Sequence, residues 1–486
     1  MRYPTGMKWK ESLRTDWRWA LLLAAAGIAA LWIGWIGFIA SDDSLYYGGA
    51  IRWLTDPPYA GGEHWSTRFP LILTFAAALK IFGQNYLAFA VTALVCHLAL
   101  VTLMGLFANR VAGPRAGWIA GLLTATLPVI VSHASTVSVD LLEACFLLGG
   151  ATLLGEAKDD AAGLRRGLGA GLCFGLAILC RETTIVALVA FVPVFLVGKP
   201  VPRRVLLASG VGLLIILGSE ALFQAYMTGD PLRRYSIAFH HDEHIDRAAN
   251  MEGNFLLWPP IDPVLVLLVN DDFGLLFWIA GAALWLGAWK GIAPDRKRLM
   301  WVLAAMAASS FLLVSVLVHK LVLNPRYFML PALFAILVVT VWLDRLAWKW
   351  RALVIAAIVG SDLLLLGVGN AHPRWELEAL VDAARAHPLE TVSADPVDVR
   401  RARVPMSFLS QGNNTRYSPA APGGLLIAPA DGAPPGRIVH TYPSPPTRLG
   451  GILGAMHLKA VVPAAIARRM FTPSPGVVLV RVAPAS

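Results

Sequence analysis

Residues 19–47 read WALLLAAAGIAALWIGWIGFIASDDSLYY. Residues 19–40 carry no charge, and as one helix rising 1.5 Å per residue they reach about 33 Å, enough to cross a bilayer. Two adjacent carboxylates, Asp42 and Asp43, stand at the exit of this run, at the membrane–water boundary. Beyond them, Ser44, Gly48, Arg52 and Thr55 fall on one helical face. Tyr46, Tyr47, Ala50, Ile51, Trp53 and Leu54 fall on the other. That spacing predicts an amphipathic helix lying along the membrane surface. Acidic side chains are costly beside hydrocarbon, so a pair placed there points to binding or chemistry at the interface.

The rest of the chain has the same character. Of 486 residues, 57% are hydrophobic and 15% charged, which excludes an ordinary soluble domain. A net charge of +10 would suit a nucleic-acid binder, but the basic residues are grouped in short loops between apolar runs. The expected partner is therefore membrane lipid, and no nucleic acid. The N-terminus is not a cleavable secretory signal, because its apolar run is too long and no cleavage site follows.

Runs of spanning length lie near 19–40, 86–107, 117–132, 138–155, 168–180, 183–198, 205–226, 273–289, 299–318, 327–343 and 352–369. Phe69–Phe82 is shorter, about 21 Å as a helix, and contains Pro70 and Lys80, which suits a surface helix. Leaving it out puts Arg14, Arg18, Lys158, Arg165, Arg166, Arg203, Arg204, Arg296, Lys297 and Arg298 on one side of the membrane. The positive-inside rule then holds along the chain; counting Phe69–Phe82 as a span would reverse every later loop. The expectation is about eleven transmembrane helices in the cell (inner) membrane, with the N-terminus cytoplasmic. Cys96, Cys145, Cys173 and Cys180 all fall inside apolar runs and read as small buried hydrophobes.

Composition changes near residue 370. Half of the 32 prolines lie beyond it, but only Trp375 of the 17 tryptophans. Residues 375–387 read as a helix, and Thr391–Ala394, Gly424–Ala428 and Val477–Val482 as short strands. The predicted fold class is an all-α polytopic membrane domain over 1–369, with juxtamembrane helices in its first outer loop. A small extramembrane α/β domain follows over 370–486, periplasmic or extracellular. No internal repeat, GxGxxG or Walker-type loop is present, so nucleotide binding has no support.

Five pieces fall on the outer face: Asp42-Asp43; Arg68 in His64-Trp65-Ser66-Thr67-Arg68; Asp140 with Glu143 at the start of a span; Arg181 between two short spans; and Arg326-Tyr327 at the start of another. Separately these could be a solvated helix start, a charge favoured by a helix dipole, and interfacial anchors. Together they suit a reaction that deprotonates a nucleophile and releases an anion. A phosphate leaving group needs no general acid; it needs bidentate cations, which Arg supplies. No cofactor and no metal are expected.

The order of these pieces resembles the GT-C membrane glycosyltransferases of the protein O-mannosyltransferase and aminoarabinose transferase type. Those families carry an acidic pair followed by Tyr in the first outer loop, as in Ser41-Asp42-Asp43-Ser44-Leu45-Tyr46-Tyr47. A basic residue and a surface helix ending in Phe-Gly follow, as in Arg68-Phe69-Pro70-Leu71 and Lys80-Ile81-Phe82-Gly83. An Asp opens a later span (Ser138-Val139-Asp140), and a late Arg-Tyr-x-x-x-Pro recurs as Arg326-Tyr327-Phe328-Met329-Leu330-Pro331. The Trp-Trp-Asp signature of oligosaccharyltransferases is absent, and Arg68 stands where aminoarabinose transferases often have Lys-Pro.

The resemblance implies a polyprenyl-phosphate-linked sugar donor, inversion at the anomeric carbon, and a glycan, lipid or protein acceptor. It implies Asp42 as base, Asp43 and Asp140 as assisting or positioning groups, and Arg68, Arg181 and Arg326 with Tyr327 at the donor phosphate. His240-His241-Asp242-Glu243-His244 fits an H-x-x-E-H metal pattern, but lies in a polar outer loop without the buried helix such a site needs. The resemblance implies instead that His240, His241, Glu243 and His244 belong to a substrate lid. The rival class is a secondary transporter of a lipid-linked or small-molecule substrate. It lacks support from internal repeats or matched broken helices, and the charges gather at an interface instead of mid-bilayer. A lipid-binding scaffold without activity is the third reading.

Overall fold

The computed structural model describes residues 17–240, 261–290, 292–317, 323–369, 375–409 and 412–483. Seven of its helices are long and apolar enough to cross a membrane: Trp17–Gly34, Tyr86–Ala112, Ala161–Cys180, Arg203–Thr228, Pro294–Val316, Pro325–Arg345 and Trp348–Gly369. An eighth span is made if Pro114–Thr126 and Pro128–Ala134, bent by 66°, count as one. The protein is thus a multi-pass membrane protein; the described residues hold seven or eight such spans, and the expected count of about eleven is not confirmed. The remaining runs fold as the 17-residue helix Asp140–Glu156, the broken stretch Glu182–Val197 and the 10-residue helix Leu276–Trp285.

Helix ends follow local chemistry. Asn85 caps Tyr86–Ala112 by accepting from the N–H groups of Leu87 and Ala88 at 2.9 and 3.2 Å. Asp160 caps Ala161–Cys180 through the Gly163 N–H at 2.6 Å. Most of Met329–Arg345 is buried, which makes it the central helix of the bundle. Cys96, Cys145 and Cys180 are buried, Cys173 is half-buried, and all four are free.

Ala161–Cys180 packs on Arg203–Thr228 through a glycine stripe. A Cβ at Gly167 would lie 2.5 Å from the Val205 carbonyl oxygen, and one at Gly171 only 1.9 Å from that of Ser209. Lipid supplies no hydrophobic drive between helices, so close backbone approach through small residues takes its place. Gly171→Leu is therefore expected to separate the pair and destabilise the protein by at least about 1–3 kcal/mol, the usual cost of overpacking. Thermal unfolding in detergent checks this, and an unchanged Tm contradicts it.

The first helix stops at Gly34, short of the expected Ala40. A Cβ at Gly34 would meet Leu366 at 2.6 Å, and Gly37 (φ +78°) and Ala40 (φ +54°) hold left-handed backbone. Tertiary contacts keep 35–39 out of the helix. The Ser135 hydroxyl accepts from the Ile36 N–H at 3.1 Å, and the Thr136 hydroxyl donates to the Gly37 carbonyl at 3.0 Å. Asp42 and Asp43 consequently open the next helix, Asp42–Thr55. That helix is amphipathic as expected: Tyr46, Tyr47 and Ala50 are buried, Gly48, Arg52 and Thr55 exposed. It packs on Phe69–Phe82 through Leu71, Ile72 and Phe75.

After residue 375 the chain forms a mixed sheet of β1 (Val392–Ala394), β2 (Thr415–Tyr417), β3 (Leu425–Pro429), β4 (Gly436–Tyr442) and β5 (Val477–Val482). Its order is β2-β1-β3-β5-β4, with β1 parallel to β2 and β3, and β5 antiparallel to β3 and β4. Three of the strands and the helix Trp375–Ala386 match the sequence reading. β2 is too short and β4 too exposed to show an alternating pattern. The core of this unit, with Leu377, Leu380, Val392, Met406 and Leu479, also takes in Ala40. Arg448 donates to the Trp32 carbonyl at 2.5 Å, and Arg469 pairs with Asp271 at 2.8 Å. The sheet unit is therefore docked on the helix bundle beside the acidic pair.

Candidate active site

The two carboxylates of the acidic pair have different surroundings. Asp43 is fully buried and accepts from the N–H groups of Ile39 (2.8 Å), Ser41 (2.8 Å) and Ser44 (3.0 Å). Burial raises its carboxyl to about 6, against the opposing pull of those three bonds. Its oxygens are used in fixing the turn that enters the helix. Asp42, one residue earlier, is about one-third exposed, and its Oδ2 lies 3.4 Å from Nη1 of Arg326.

Arg68 sits at the break between the turn Trp65–Thr67 and the helix Phe69–Phe82, with φ −80° and ψ 62°. Its guanidinium is buried against the Tyr46 hydroxyl and against Nε2 of His64, at 2.6 Å from the latter. Among the described residues no carboxylate lies within ion-pair distance of Arg68. A buried cation without a counter-ion is expensive, and an anionic ligand would remove that cost. Burial also raises the Tyr46 hydroxyl above its ordinary value, an effect that Arg68 opposes.

Asp140 and Glu143 lie in the first turn of Asp140–Glu156, as expected. Arg181, the C-cap of Ala161–Cys180, places Nη2 2.6 Å from Asp140 Oδ1 and Nη1 3.5 Å from Glu143 Oε2. Asp140 also has His133 at 3.6 Å, and Glu143 accepts from the Thr184 hydroxyl at 2.6 Å. Arg181 and Arg326 both approach the Tyr327 ring, with guanidinium carbons 5.3 and 5.7 Å from its centroid. Arg326 is about one-third exposed, and its Nε has no hydrogen-bond partner among the described residues. Asp140, Glu143, Arg181, Arg326 and Tyr327 line one pocket with Thr184 and Ser310.

The structure thus brings Asp42, Asp140, Arg68, Arg181, Arg326 and Tyr327 to one end of the bundle, with Asp43 behind them as a buried anchor. It divides the arginines into two kinds: Arg181 is neutralised by two carboxylates, whereas Arg68 and Arg326 keep charge or donors in reserve. His240 ends the helix Arg233–His240, with Nδ1 2.6 Å from the Ser236 carbonyl oxygen. His241, Glu243 and His244 lie outside the described residues. Among the described residues, no group of three metal-ligating side chains is placed to hold an ion.

Sequence reasoning passed over His64, His133 and Arg234. His64 and Arg68 are four residues apart, a spacing that could have paired them. His133 reaches Asp140 only because the chain bends by 66° before it. Arg234 gave no local signal.

A larger cavity, of about 710 Å³, lies where the sheet unit meets the bundle. Trp35, Phe38, Tyr86 and Phe408 form its apolar wall, and Glu378, Asp382, Arg385 and Arg448 its polar side. One wall is the non-helical segment 35–38, which runs directly into the turn that Asp43 fixes.

Residues 69–225 match the sequence family described as dolichyl-phosphate-mannose-protein mannosyltransferase. Among solved structures, ArnT from Cupriavidus metallidurans in the apo state superposes with a TM-score of 0.58 at 15% identity, over 79% of this chain and 84% of that one. The same protein bound to undecaprenyl phosphate gives 0.58 at 12% identity, over 86% and 94%. The archaeal oligosaccharyltransferase AglB from Archaeoglobus fulgidus, in complex with an inhibitory peptide and a dolichol-phosphate, gives 0.50 at 12% identity, over 82% and 64%. No curated protein matches the chain in sequence. The fold is that of the GT-C membrane glycosyltransferases, as the order of motifs implied.

Proposed function

We propose that this chain, a multi-pass membrane protein of GT-C glycosyltransferase fold, moves one sugar from a polyprenyl-phosphate-linked donor to an acceptor hydroxyl on the outer face of the cell membrane. The observation that carries the reading is Arg68: a buried cation with no carboxylate at ion-pair distance among the described residues, at the same end of the bundle as the one-third-exposed Asp42 and its partner Arg326. An anionic leaving group is the chemistry that this arrangement lacks and would accommodate.

In the proposed reaction the acceptor oxygen attacks the anomeric carbon from the face opposite the phosphate. Its proton passes to Asp42. The bond from the anomeric carbon to the phosphate oxygen breaks, and its electron pair leaves with polyprenyl phosphate, whose added negative charge Arg68 and Arg326 receive. Inversion follows from the single displacement. Asp140 and Glu143 hold Arg181 against Tyr327, and Asp43 holds the turn that aims Asp42. None of these steps requires a metal or cofactor. A transporter would place its charges at mid-bilayer instead of gathering them at one end.

The positive-inside rule supports a cytoplasmic N-terminus, a membrane catalytic domain over 1–369 and an extracytoplasmic domain over 370–486. Leu389, 99% exposed, and Arg165, also exposed, are suited to testing it. In intact cells an impermeant thiol reagent is expected to label Leu389→Cys but not Arg165→Cys. Labelling of Leu389→Cys only after permeabilisation would reverse the orientation.

The 710 Å³ cavity suits the acceptor, because aromatic walls bind the apolar faces of a polyhydroxylated group while carboxylates and arginines bind its hydroxyls. Tyr86→Ala and Asp382→Asn are expected to raise the acceptor KM about tenfold each, the value of one lost hydrogen bond or stacking contact. Donor affinity should not change. Equal losses for donor and acceptor would remove the cavity from the acceptor's path.

A further inference from the structure

We infer that Arg234 is a positioning residue that sets the two arginines Arg68 and Arg181 through the main chain just before each of them. Its side chain is completely buried. Nη1 donates to the Thr67 carbonyl at 2.6 Å. Nη2 donates to the carbonyls of Ile178 and Leu179 at 3.1 and 3.0 Å, and pairs with Glu182 Oε1 at 2.7 Å. Thr67 immediately precedes Arg68, while Ile178, Leu179 and Glu182 flank Arg181 on both sides.

The geometry explains why a buried arginine is placed here. Ile178 and Leu179 lie in the last turn of Ala161–Cys180, where carbonyls lose their helical partners and the helix dipole favours a cation. The Thr67 carbonyl ends a short turn, before Arg68 leaves helical geometry. Arg68 and Arg181 both sit at such breaks, with φ/ψ of −80°/62° and −155°/128°, where no helical ladder fixes their side chains. One planar guanidinium reaching acceptors on two separate segments locks both breaks at once. A lysine ammonium on a single point cannot cover the same spread.

The surrounding contacts have the same effect. Arg233 donates to the Gly61 carbonyl at 3.0 Å, and Gln224 to the Ala60 carbonyl at 3.0 Å, so the loop carrying Arg68 is held along its length. Arg234 touches neither the pocket at Asp140 nor Asp42, and acts through the arginines it sets. The inference rests on the reading of Arg68 as a group at the donor phosphate, with Arg181 held by Asp140 and Glu143 against Tyr327 beside it.

The test uses the full-length protein in detergent, with polyprenyl phosphate as probe and the uncharged polyprenol as control. Arg234→Lys, in protein that stays folded by size-exclusion and thermal unfolding, is expected to weaken polyprenyl phosphate binding about tenfold, one charge-assisted bond, and leave polyprenol binding unchanged. Adding Arg234→Lys to Arg68→Ala should cost less than the two separate losses combined, because Arg234 acts partly through Arg68. Should Arg234→Lys not be recovered folded, Glu182→Gln, which removes only the counter-ion, is expected to show a smaller loss of the same kind. Unchanged phosphate affinity in the folded variant, or full additivity with Arg68→Ala, overturns the inference. If Arg68→Ala itself binds polyprenyl phosphate as tightly as the parent, the donor-site reading fails and the role of Arg234 falls with it. If Arg68→Ala weakens binding and Arg234→Lys does not, only the positioning role fails.

Discussion

Asp42→Asn is expected to lower sugar transfer by about 10²–10⁴-fold, the contribution of a placed general base, while the protein inserts, folds and binds donor as before. The side chain is about one-third exposed, and its ion-pair partner among the described residues, Arg326, is 3.4 Å away and also partly exposed, so removing its charge should affect stability little. Asn also suits the first turn of a helix. The same change at Asp140 should behave differently. Asp140 is buried with Arg181 at 2.6 Å, and removing one partner of a buried pair costs about 3–5 kcal/mol. Asp140→Asn should therefore appear first in thermal unfolding. Near-full transfer by Asp42→Asn, with abolished transfer by a still-folded Asp140→Asn, would make Asp140 the base. If neither change alters transfer in a verified assay, the acidic pair only starts a helix and the enzymatic reading loses its main support.

Arg68→Ala is expected to weaken donor binding by about 10- to 100-fold, from the loss of a charge-assisted bond of about 1.5–3 kcal/mol to the phosphate. Folding should survive the change. The substitution deletes a buried cation that makes no ion pair with a carboxylate among the described residues, so no carboxylate loses a counter-ion. Direct titration with a polyprenyl-phosphate sugar, alongside a Tm, separates the two effects. Unchanged affinity in the folded variant refutes the assignment, and a collapsed Tm with normal affinity would make Arg68 a structural residue.

The membrane class, the amphipathic helix at 42–55, the short helix at 69–82 and the appended sheet unit were all legible in the sequence. Each rests on local information: run length against bilayer thickness, the 3.6-residue period, and a shift in proline and tryptophan content. The grouping of Asp42, Arg68, Asp140 and Arg326 was legible as well, because loops separated by an even number of spans return to the same face of the membrane. The number of spans was not. Asp140–Glu156, Glu182–Val197 and Leu276–Trp285 are apolar enough but short or broken, and hydropathy does not see a break in a helix. The end of the first helix was also hidden, since Ser135 and Thr136, distant in sequence, bind the backbone of Ile36 and Gly37 outside it.

What only the tertiary structure decided is how each charge is used. Asp42 and Asp43 are adjacent and chemically identical, yet three N–H groups of the entering turn engage one and leave the other beside Arg326. Arg68 and Arg181 read alike as interfacial cations, but two carboxylates from another helix neutralise only Arg181. Composition and period fix where a side chain lies relative to the membrane. Its partners, and so its free charge, depend on which distant segments pack against it.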